Sequence, residues 1–358
     1  MSELMSRLKK ATKTKDADVL SESKFFNEKD MVPTKIPAIN IALSANLNGG
    51  FVPGLTMWAG PSKHFKTLFS LIMAKAYLDK YPEGVLLFYD TEFGTPQGYF
   101  SAVGIDLDRV FHVPVTNVEE LKFETSQAIE EIKREDKVII VVDSIGNVAS
   151  KKEVDDALDG KSVADMTRAK QLKSYFRIAT PQLTTKDIPM VVVNHTYKEI
   201  GLYPKDIVSG GTGSYYSADN IFIIGRQQDK EGTEIVGYNF IIKVEKSRYV
   251  REGSKIPITV SFEGGISKYS GLMDIAVDSG HVVKPKMGWY ARVNQETGEI
   301  DDKNWRLKQT FTEEFWKPIL ECPKFSEYIM KRYGVSHGAL IHEEDSAEEV
   351  FDRVVEEE

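Results

Sequence analysis

Five short aliphatic runs constrain this chain more than any other feature. They read LTMWAG (55–60), VLLFYD (85–90), KVIIVVDS (137–144), MVVVNH (190–195) and NIFIIGR (220–226). Apolar residues fall at successive rather than alternate positions, so strands built from them must be covered on both faces. Stretches of helical periodicity separate the runs: TLFSLIMAKAYLDKY (67–81), VEELKFETSQAIEEIKRED (118–136) and ADMTRAKQLKSYFRIATPQL (164–183). This alternation predicts an α/β core, a mostly parallel sheet with helices on both faces, over residues 31–270. Beyond about residue 270 the pattern becomes smaller and mixed, and a small C-terminal α+β domain is expected over 271–340. Ahead of the core, residues 2–12 read as a short amphipathic helix, KTKDADVLSESK as a linker, and Phe25 and Phe26 as an apolar pair. Residues 1–30 therefore form a separate N-terminal segment. No internal repeat is present.

Between the first run and its helix stands AGPSKHFKT (59–67). Its form is that of a phosphate-binding loop, Gly-x-x-x-x-Gly-Lys-Ser/Thr, with Phe65 at the second glycine. Gly60, Pro61, Ser62, Lys63, His64 and Phe65 form the loop, whose backbone N–H groups (Pro61 has none) lie at the start of a helix, where the dipole also favours anions. Lys66 reaches the β- and γ-phosphates, and the Thr67 hydroxyl binds Mg²⁺. Phe65 is the departure. Its side chain must turn away from the phosphates, and its backbone must stay outside the angles that only glycine adopts easily.

The other runs end in polar groups on the side of the sheet where α/β proteins bind ligands. Glu92, just after the second, could polarise a water for attack on the γ-phosphate; a surface turn acid is the plain alternative. Asp143 and Ser144 end the third in a Walker B arrangement, with Asp143 holding Mg²⁺ through water. His195 ends the fourth, as a γ-phosphate sensor or as a structural histidine. Together these endings point to an ATP–Mg²⁺ site.

The charge of −8 is misleading as an average. Residues 343–358, EEDSAEEVFDRVVEEE, carry nine acids and one Arg; without them the chain holds 45 basic and 45 acidic residues. The remaining body is neutral, so nucleic acid is not excluded as a partner. The tail is either a solubilising end or a decoy competing with an anionic ligand for a basic surface. Cys322 is the only cysteine, so an internal disulfide is impossible. No apolar run is long enough to span a membrane, and a cytoplasmic setting is expected.

Several longer stretches carry a family resemblance: SKFFNEKD (23–30), AGPSKHFK (59–66), FYDTEFG (88–94), SKKEVDDAL (150–158), DMTRAK (165–170), NHTY (194–197), GGTG (210–213), YSADNIFIIG (216–225), VEKSR (244–248) and KPKMGWYAR (284–292). On these the chain resembles the RecA recombinase family, and within it the UvsX-type branch of T-even-type phages. That branch also has Phe in place of the second loop glycine. The resemblance implies a RecA-type P-loop core and a DNA-dependent ATPase that filaments on single-stranded DNA, pairs with duplex DNA and exchanges strands. It implies host-cell cytoplasm, self-association into helical filaments, and a single-strand-binding protein and a loading mediator as partners.

Carried over residue by residue, the resemblance makes Glu92 the catalytic carboxylate. It puts Tyr99 against adenine, where a core aromatic on a helix is the alternative. It makes Lys246 and Arg248 cations that act on a neighbouring protomer's ATP. Two DNA-facing loops fall at 151–163 and 197–212; from sequence both read as ordinary long loops. Within them and nearby, Arg168, Lys198 and Lys205 would neutralise phosphates, Gly210 and Gly211 would let the backbone approach, and Ile200 or Leu202 would wedge between bases. Phe25 and Phe26 would pack on the next protomer, or form a staple within one. A RecA-fold ring helicase and a catalytically silent recombination mediator are the rivals. Directional unwinding by a closed ring would favour the first, and Glu92 argues against the second.

Overall fold

A computed structural model describes residues 3–14, 17–23, 30–160, 166–199, 201 and 204–335. Phe25, Phe26, Ile200, Leu202 and the acidic tail lie outside the described residues.

The chain opens with α1 (Glu3–Ala11) and α2 (Pro37–Ser44), then enters the alternating core. In order this comprises β1 (Gly54–Ala59), α3 (Lys66–Lys80), β2 (Val85–Asp90), α4 (Gln97–Val103), β3 (Val110–Pro114), α5 (Val118–Glu131), β4 (Val138–Asp143), α6 (Lys151–Leu158), α7 (Thr167–Thr185) and β5 (Pro189–Asn194). A small hairpin, β6 (Thr196–Lys198) and β7 (Asp206–Val208), leads to α8 (Thr212–Ser217). The sheet then continues through β8 (Asn220–Glu231), β9 (Glu234–Lys246), β10 (Lys255–Ser261) and β11 (Gly265–Ile266). Last come α9 (Leu272–Asp278), the three-stranded sheet β12 (Val282–Lys286), β13 (Trp289–Arg292) and β14 (Trp305–Arg306), and helices α10 (Glu313–Leu320) and α11 (Pro323–Tyr333).

The main sheet runs β11-β10-β9-β8-β1-β5-β4-β2-β3. From β8 to β3 every pairing is parallel, and from β8 to β11 every pairing is antiparallel. The expected mostly parallel α/β sheet is present. Sequence periodicity missed β3, only five residues with an exposed centre, and the antiparallel extension, whose outer residues are mixed with polar ones.

Alternation within each strand divides the core. Trp58, Phe88, Ile139, Val141 and Phe222 join α2 and α3 on one face. Met57, Tyr89, Ile140, Val142 and Ile221 join α5 and α7 on the other. That is the physical reason these runs are apolar throughout. Aromatic residues of the last elements, Trp305, Phe315, Trp316 and Phe325, belong to the first of these cores.

Both expected loops contain regular structure. Residues 151–158 form α6 because Ser150 caps it, accepting from the Glu153 N–H at 3.0 Å, and Lys152 pairs with Asp156 one turn on. The second holds the β6–β7 hairpin, with Tyr197 opposite Ile207.

Candidate functional site

Loop 60–65 follows β1, Thr91 and Glu92 follow β2, Ser144 follows β4 and His195 follows β5. Because β1, β5, β4 and β2 are consecutive in the sheet, these groups come together at its C-terminal edge.

Lys66 begins α3 and is buried, 6% exposed. Its Nζ donates to the Pro61 carbonyl at 2.8 Å. Burial lowers its pKa, against the opposing pull of Glu92 and Asp143. The first N–H groups of α3 have no acceptor within the helix, as at any helix start, and no side chain caps them. His64 Nδ1 lies 2.8 Å from the Ser62 carbonyl, and Arg226 holds the Lys63 carbonyl at 3.0 Å from β8.

The backbone expectation for Phe65 needs correction. It adopts φ 60°, ψ 15°, in the left-handed region, at a cost of roughly 1–2 kcal/mol for an L-residue. The side chain does turn away, packing on Phe240 with ring centroids 4.7 Å apart. Burial of that ring offsets the strained backbone.

Asp143 is 2% exposed. Its Oδ2 accepts from Thr67 Oγ1 at 2.7 Å and from Thr95 Oγ1 at 3.2 Å. Its Oδ1 is buried without a hydrogen-bond partner. Burial pushes its pKa up to about 6, helped by the negative charges of Glu92 and Asp90. A buried carboxylate with one unpartnered oxygen beside a threonine hydroxyl and a lysine suits a hard divalent cation carrying an anionic ligand. Among the described residues no group of three or more His, Cys, Asp or Glu could hold a metal alone.

Glu92 Oε1 accepts from Ser144 Oγ and lies 2.9 Å from His195 Nε2. The His195 contact, more than any other, lowers its pKa, and burial opposes it. Gly146 makes room for this imidazole: a Cβ there would come 2.0 Å from His195 Cδ2. Thr91 Oγ1 bridges to Ser144, accepting its N–H at 2.9 Å and donating to its carbonyl. Asn194 ties the fourth strand to the next loop, donating to the Ser209 carbonyl at 2.8 Å. Thr91, Thr95, Gly146, Asn194 and Arg226 went unassigned from sequence, since single residues without a spaced motif give no signal. Tyr99 projects from α4 half exposed and is not a core aromatic.

The loop residues divide. Arg168 is turned into the fold, its guanidinium donating to the carbonyls of Val148, Ile145 and Gly146 at 2.6–2.7 Å. Its expected place on a phosphate is corrected accordingly: the cation holds together the chain after β4. Lys198 is exposed and pairs with Asp206 at 2.8 Å across the hairpin; Lys205 is exposed beside it. Gly210 and Gly211 adopt φ 91° and 76°, positions that favour glycine, just before α8.

Lys246 and Arg248 lie elsewhere. Lys246 Nζ donates to the carbonyls of Tyr215, Tyr216 and Ala218, capping the end of α8. Burial lowers its pKa. Arg248 is 74% exposed and pairs with Asp219 at 2.8 Å. Asp219 is bonded to Leu55, at the start of β1. Arg248 is therefore at the opposite end of β1 from the phosphate loop, roughly 15 Å away along the strand.

A glycine-containing loop between β1 and α3, with carboxylates ending the neighbouring strands of a parallel sheet, is the arrangement of a P-loop α/β fold. The RecA N-terminal domain family matches residues 5–267, and the chain belongs to the RecA family. A second family, described as the C-terminal domain of the bacteriophage T4 recombination and repair protein, matches residues 269–329. The chain is 50% identical over 337 residues to the "Recombination and repair protein" of Enterobacteria phage T4, covering 93% of this chain and 86% of that one. It is 25% identical over 278 residues to "Protein RecA" of Bacteroides thetaiotaomicron (76% and 81% covered) and 23% identical over 325 residues to that of Streptomyces coelicolor (89% and 81% covered).

Proposed function

We propose that the chain is a recombinase that binds ATP with Mg²⁺, hydrolyses it, and uses the cycle to control a helical filament on single-stranded DNA that pairs with duplex and exchanges strands. The observation that carries this reading is the meeting of Lys66, Thr67, Glu92, Asp143 and His195 at one edge of the sheet. Its relatives' names supply recombination and repair.

In this reading the α3 N–H groups and the Lys66 ammonium bind the triphosphate, Lys66 leaving the Pro61 carbonyl for a phosphate oxygen. Thr67, and Asp143 through water, would hold Mg²⁺, which when bound would supply charge neutralisation for the triphosphate. Both hydrogen bonds of the Glu92 carboxylate fall on Oε1, so Oε2 takes the proton of the attacking water. His195, already on Glu92, reports whether the γ-phosphate is there. Tyr99 covers the adenine. Lys198, Lys205 and the backbone at Gly210 and Gly211 face DNA.

Lys246 and Arg248 serve a neighbour's nucleotide. Supporting this, Arg248 is exposed and stands at the wrong end of β1 to reach its own loop. A fixed cation arriving across an interface stabilises charge on the γ-phosphate only after assembly, tying hydrolysis to the filament. Residues 1–30 serve protomer contact, 31–270 the ATPase core, 271–340 a small accessory domain and 341–358 an acidic tail. The setting is the host cytoplasm, with a single-strand-binding protein and a loading mediator as helpers.

Electron microscopy with single-stranded DNA and a non-hydrolysable ATP analogue tests the whole reading. Open helical filaments are expected, and closed rings that unwind duplex would make it a helicase. The trans assignment has its own test. Lys66→Ala and Arg248→Ala are each expected to be inactive, yet their mixture on DNA should regain ATPase activity, peaking near equal proportions. A co-assembled mixture that stays inactive at every ratio rules the trans role out.

A further inference from the structure

The loop that presents Glu92 leaves β2 at Asp90, a buried carboxylate, 5% exposed, whose side chain bonds to that loop and to the sheet edge. Asp90 Oδ1 accepts from the Phe93 N–H at 2.7 Å and from the Glu92 N–H at 3.2 Å. Its Oδ2 lies 3.2 Å from Nε2 of His112, on edge strand β3. Phe93 takes φ 54°, a left-handed turn that an ordinary side chain enters only when its surroundings hold it there. The other side of the turn is held by Thr91, through the Ser144 backbone.

We propose that Asp90 is a positioning residue for the reaction. Through the two backbone N–H groups it clamps the turn Thr91–Glu92–Phe93, so that the Glu92 carboxylate meets Ser144 and His195, and His112 steadies the clamp from the sheet edge. This rests on the reading that Glu92 activates water. Burying a polar side chain is expensive unless its hydrogen bonds are made, and here they are made to two backbone donors of the Glu92 turn and to one imidazole. A carboxylate whose Oδ1 serves two donors while Oδ2 is anchored separately gives a stiffer clamp than a hydroxyl. Misplacement of a catalytic group by an ångström can cost about 100-fold in rate, so stiffness here has a direct kinetic value. The side-chain hydrogen bonds of Asp90 go to the Glu92–Phe93 turn and His112, and only its charge reaches Asp143, so its loss should change nucleotide affinity far less than kcat.

The test uses the full chain with single-stranded DNA and compares steady-state ATPase with binding of a fluorescent ATP analogue. Asp90→Ala is expected to lower kcat by about 30-fold or more, with KM and analogue affinity within about twofold. Asp90→Asn keeps the oxygen that accepts both N–H groups and should restore kcat to within about threefold of the parent. Glu92→Gln is the reference: if it still hydrolyses ATP normally, the role of Glu92 fails and this proposal with it. If Glu92→Gln is inactive while Asp90→Ala keeps the parent kcat, the positioning role alone is overturned. A fall in affinity and melting temperature that accounts for the whole loss of activity would also overturn it, since that is the mark of a merely structural residue. Should Asp90→Ala not fold, His112→Ala decides. It removes one anchor from an exposed position, and kcat should fall about threefold at constant KM; an unchanged kcat overturns the proposal.

Discussion

The nucleotide edge of the sheet and the C-terminal unit around β12–β14 solve opposite problems. At the edge, Asp90, Glu92, Asp143 and His195 are held by a mesh of hydrogen bonds from four strands. The C-terminal unit is closed by rings instead: Tyr269 stacks on Trp316, Phe315 meets both Trp305 and Trp316 edge-on, and Phe325 packs against His281. Both contain buried polar atoms without partners, but these mean different things. Asp143 Oδ1 sits among a lysine, a threonine and another carboxylate, a setting that suits a charged ligand. Trp305 Nε1, Trp316 Nε1 and His281 Nε2 are buried beside aromatic rings, with Lys303 over the Trp305 ring and Lys324 near His281 but no constellation of carboxylate, lysine and threonine like that at Asp143. An unpaired buried group is thus a sign of function only when its neighbours could complete a ligand's shell; otherwise it is a cost that ring packing offsets.

Breaking the chemistry without breaking the fold gives the largest effect. Lys66→Ala should reduce ATP turnover by about 1,000-fold or more, as expected for removal of a buried electrostatic stabiliser. Its melting temperature should not fall, because burial of this ammonium already works against its charge. Loss of cooperative unfolding in this variant would show that the edge is structural after all.

The converse change belongs to the C-terminal unit. Trp316 is 1% exposed and central to the ring cluster. Trp316→Ala should cost about 3–5 kcal/mol of stability through cavity formation. Affinity for nucleotide, measured on the fraction still folded at low temperature, should remain that of the parent. Parallel loss of both properties would mean that the two regions are coupled rather than independent.

What was legible in the sequence follows the same division. Strands apolar on both faces must be central, so β1, β2, β4, β5 and β8 stood out, with the polar residues at their ends. Regularity that depends on partners did not show. Strand β3 is short and exposed, and β10 and the second half of β9 alternate buried with less buried residues, so none gives the continuous apolar run that marks a central strand. Helix α6 is too polar for an apolar stripe to reveal it; its cap and Lys152–Asp156 pair were the only local signs. The P-loop lysine, Thr67 and the carboxylates could be named from spacing, but Thr95 on Asp143, and the internal use of Arg168, needed coordinates.

Phe65 stands where the comparison blurs, an aromatic ring inside the polar edge. Phe65→Gly would release a left-handed backbone strain of roughly 1–2 kcal/mol. It would lose a half-buried ring and its pairing with Phe240, together about 2–3 kcal/mol. A net destabilisation of about 1 kcal/mol is expected from these opposing terms, with nucleotide affinity nearly unchanged. Chemical denaturation and analogue titration check this; weakened nucleotide binding at unaltered stability would move Phe65 from the packing to the chemistry.

The smallest effect should appear at His281, where the C-terminal unit can be made to respond to acid. The ring is 3% exposed. Ser279 Oγ lies 3.0 Å from its Nδ1, Phe325 covers one side, and the nearby Lys324 adds positive charge. Burial, more than any other cause, lowers its pKa below the ordinary histidine value, and Lys324 pushes the same way. The unfolded chain therefore takes up this proton first as pH falls, from about 6.5 downward. The stability from keeping the ring neutral is fully present above that value. It declines as pH drops through the window between the unfolded and folded pKa values, because the unfolded state then binds more protons. Carboxylates elsewhere titrate in acid too, so the comparison must be between proteins. Thermal unfolding of the parent and of His281→Gln at pH 7.5 and 5.5 should show a smaller acid loss for the variant, which has no proton to gain. If the two lose the same stability over that interval, His281 is not held neutral by burial, and the C-terminal unit tolerates charge as well as the nucleotide edge does.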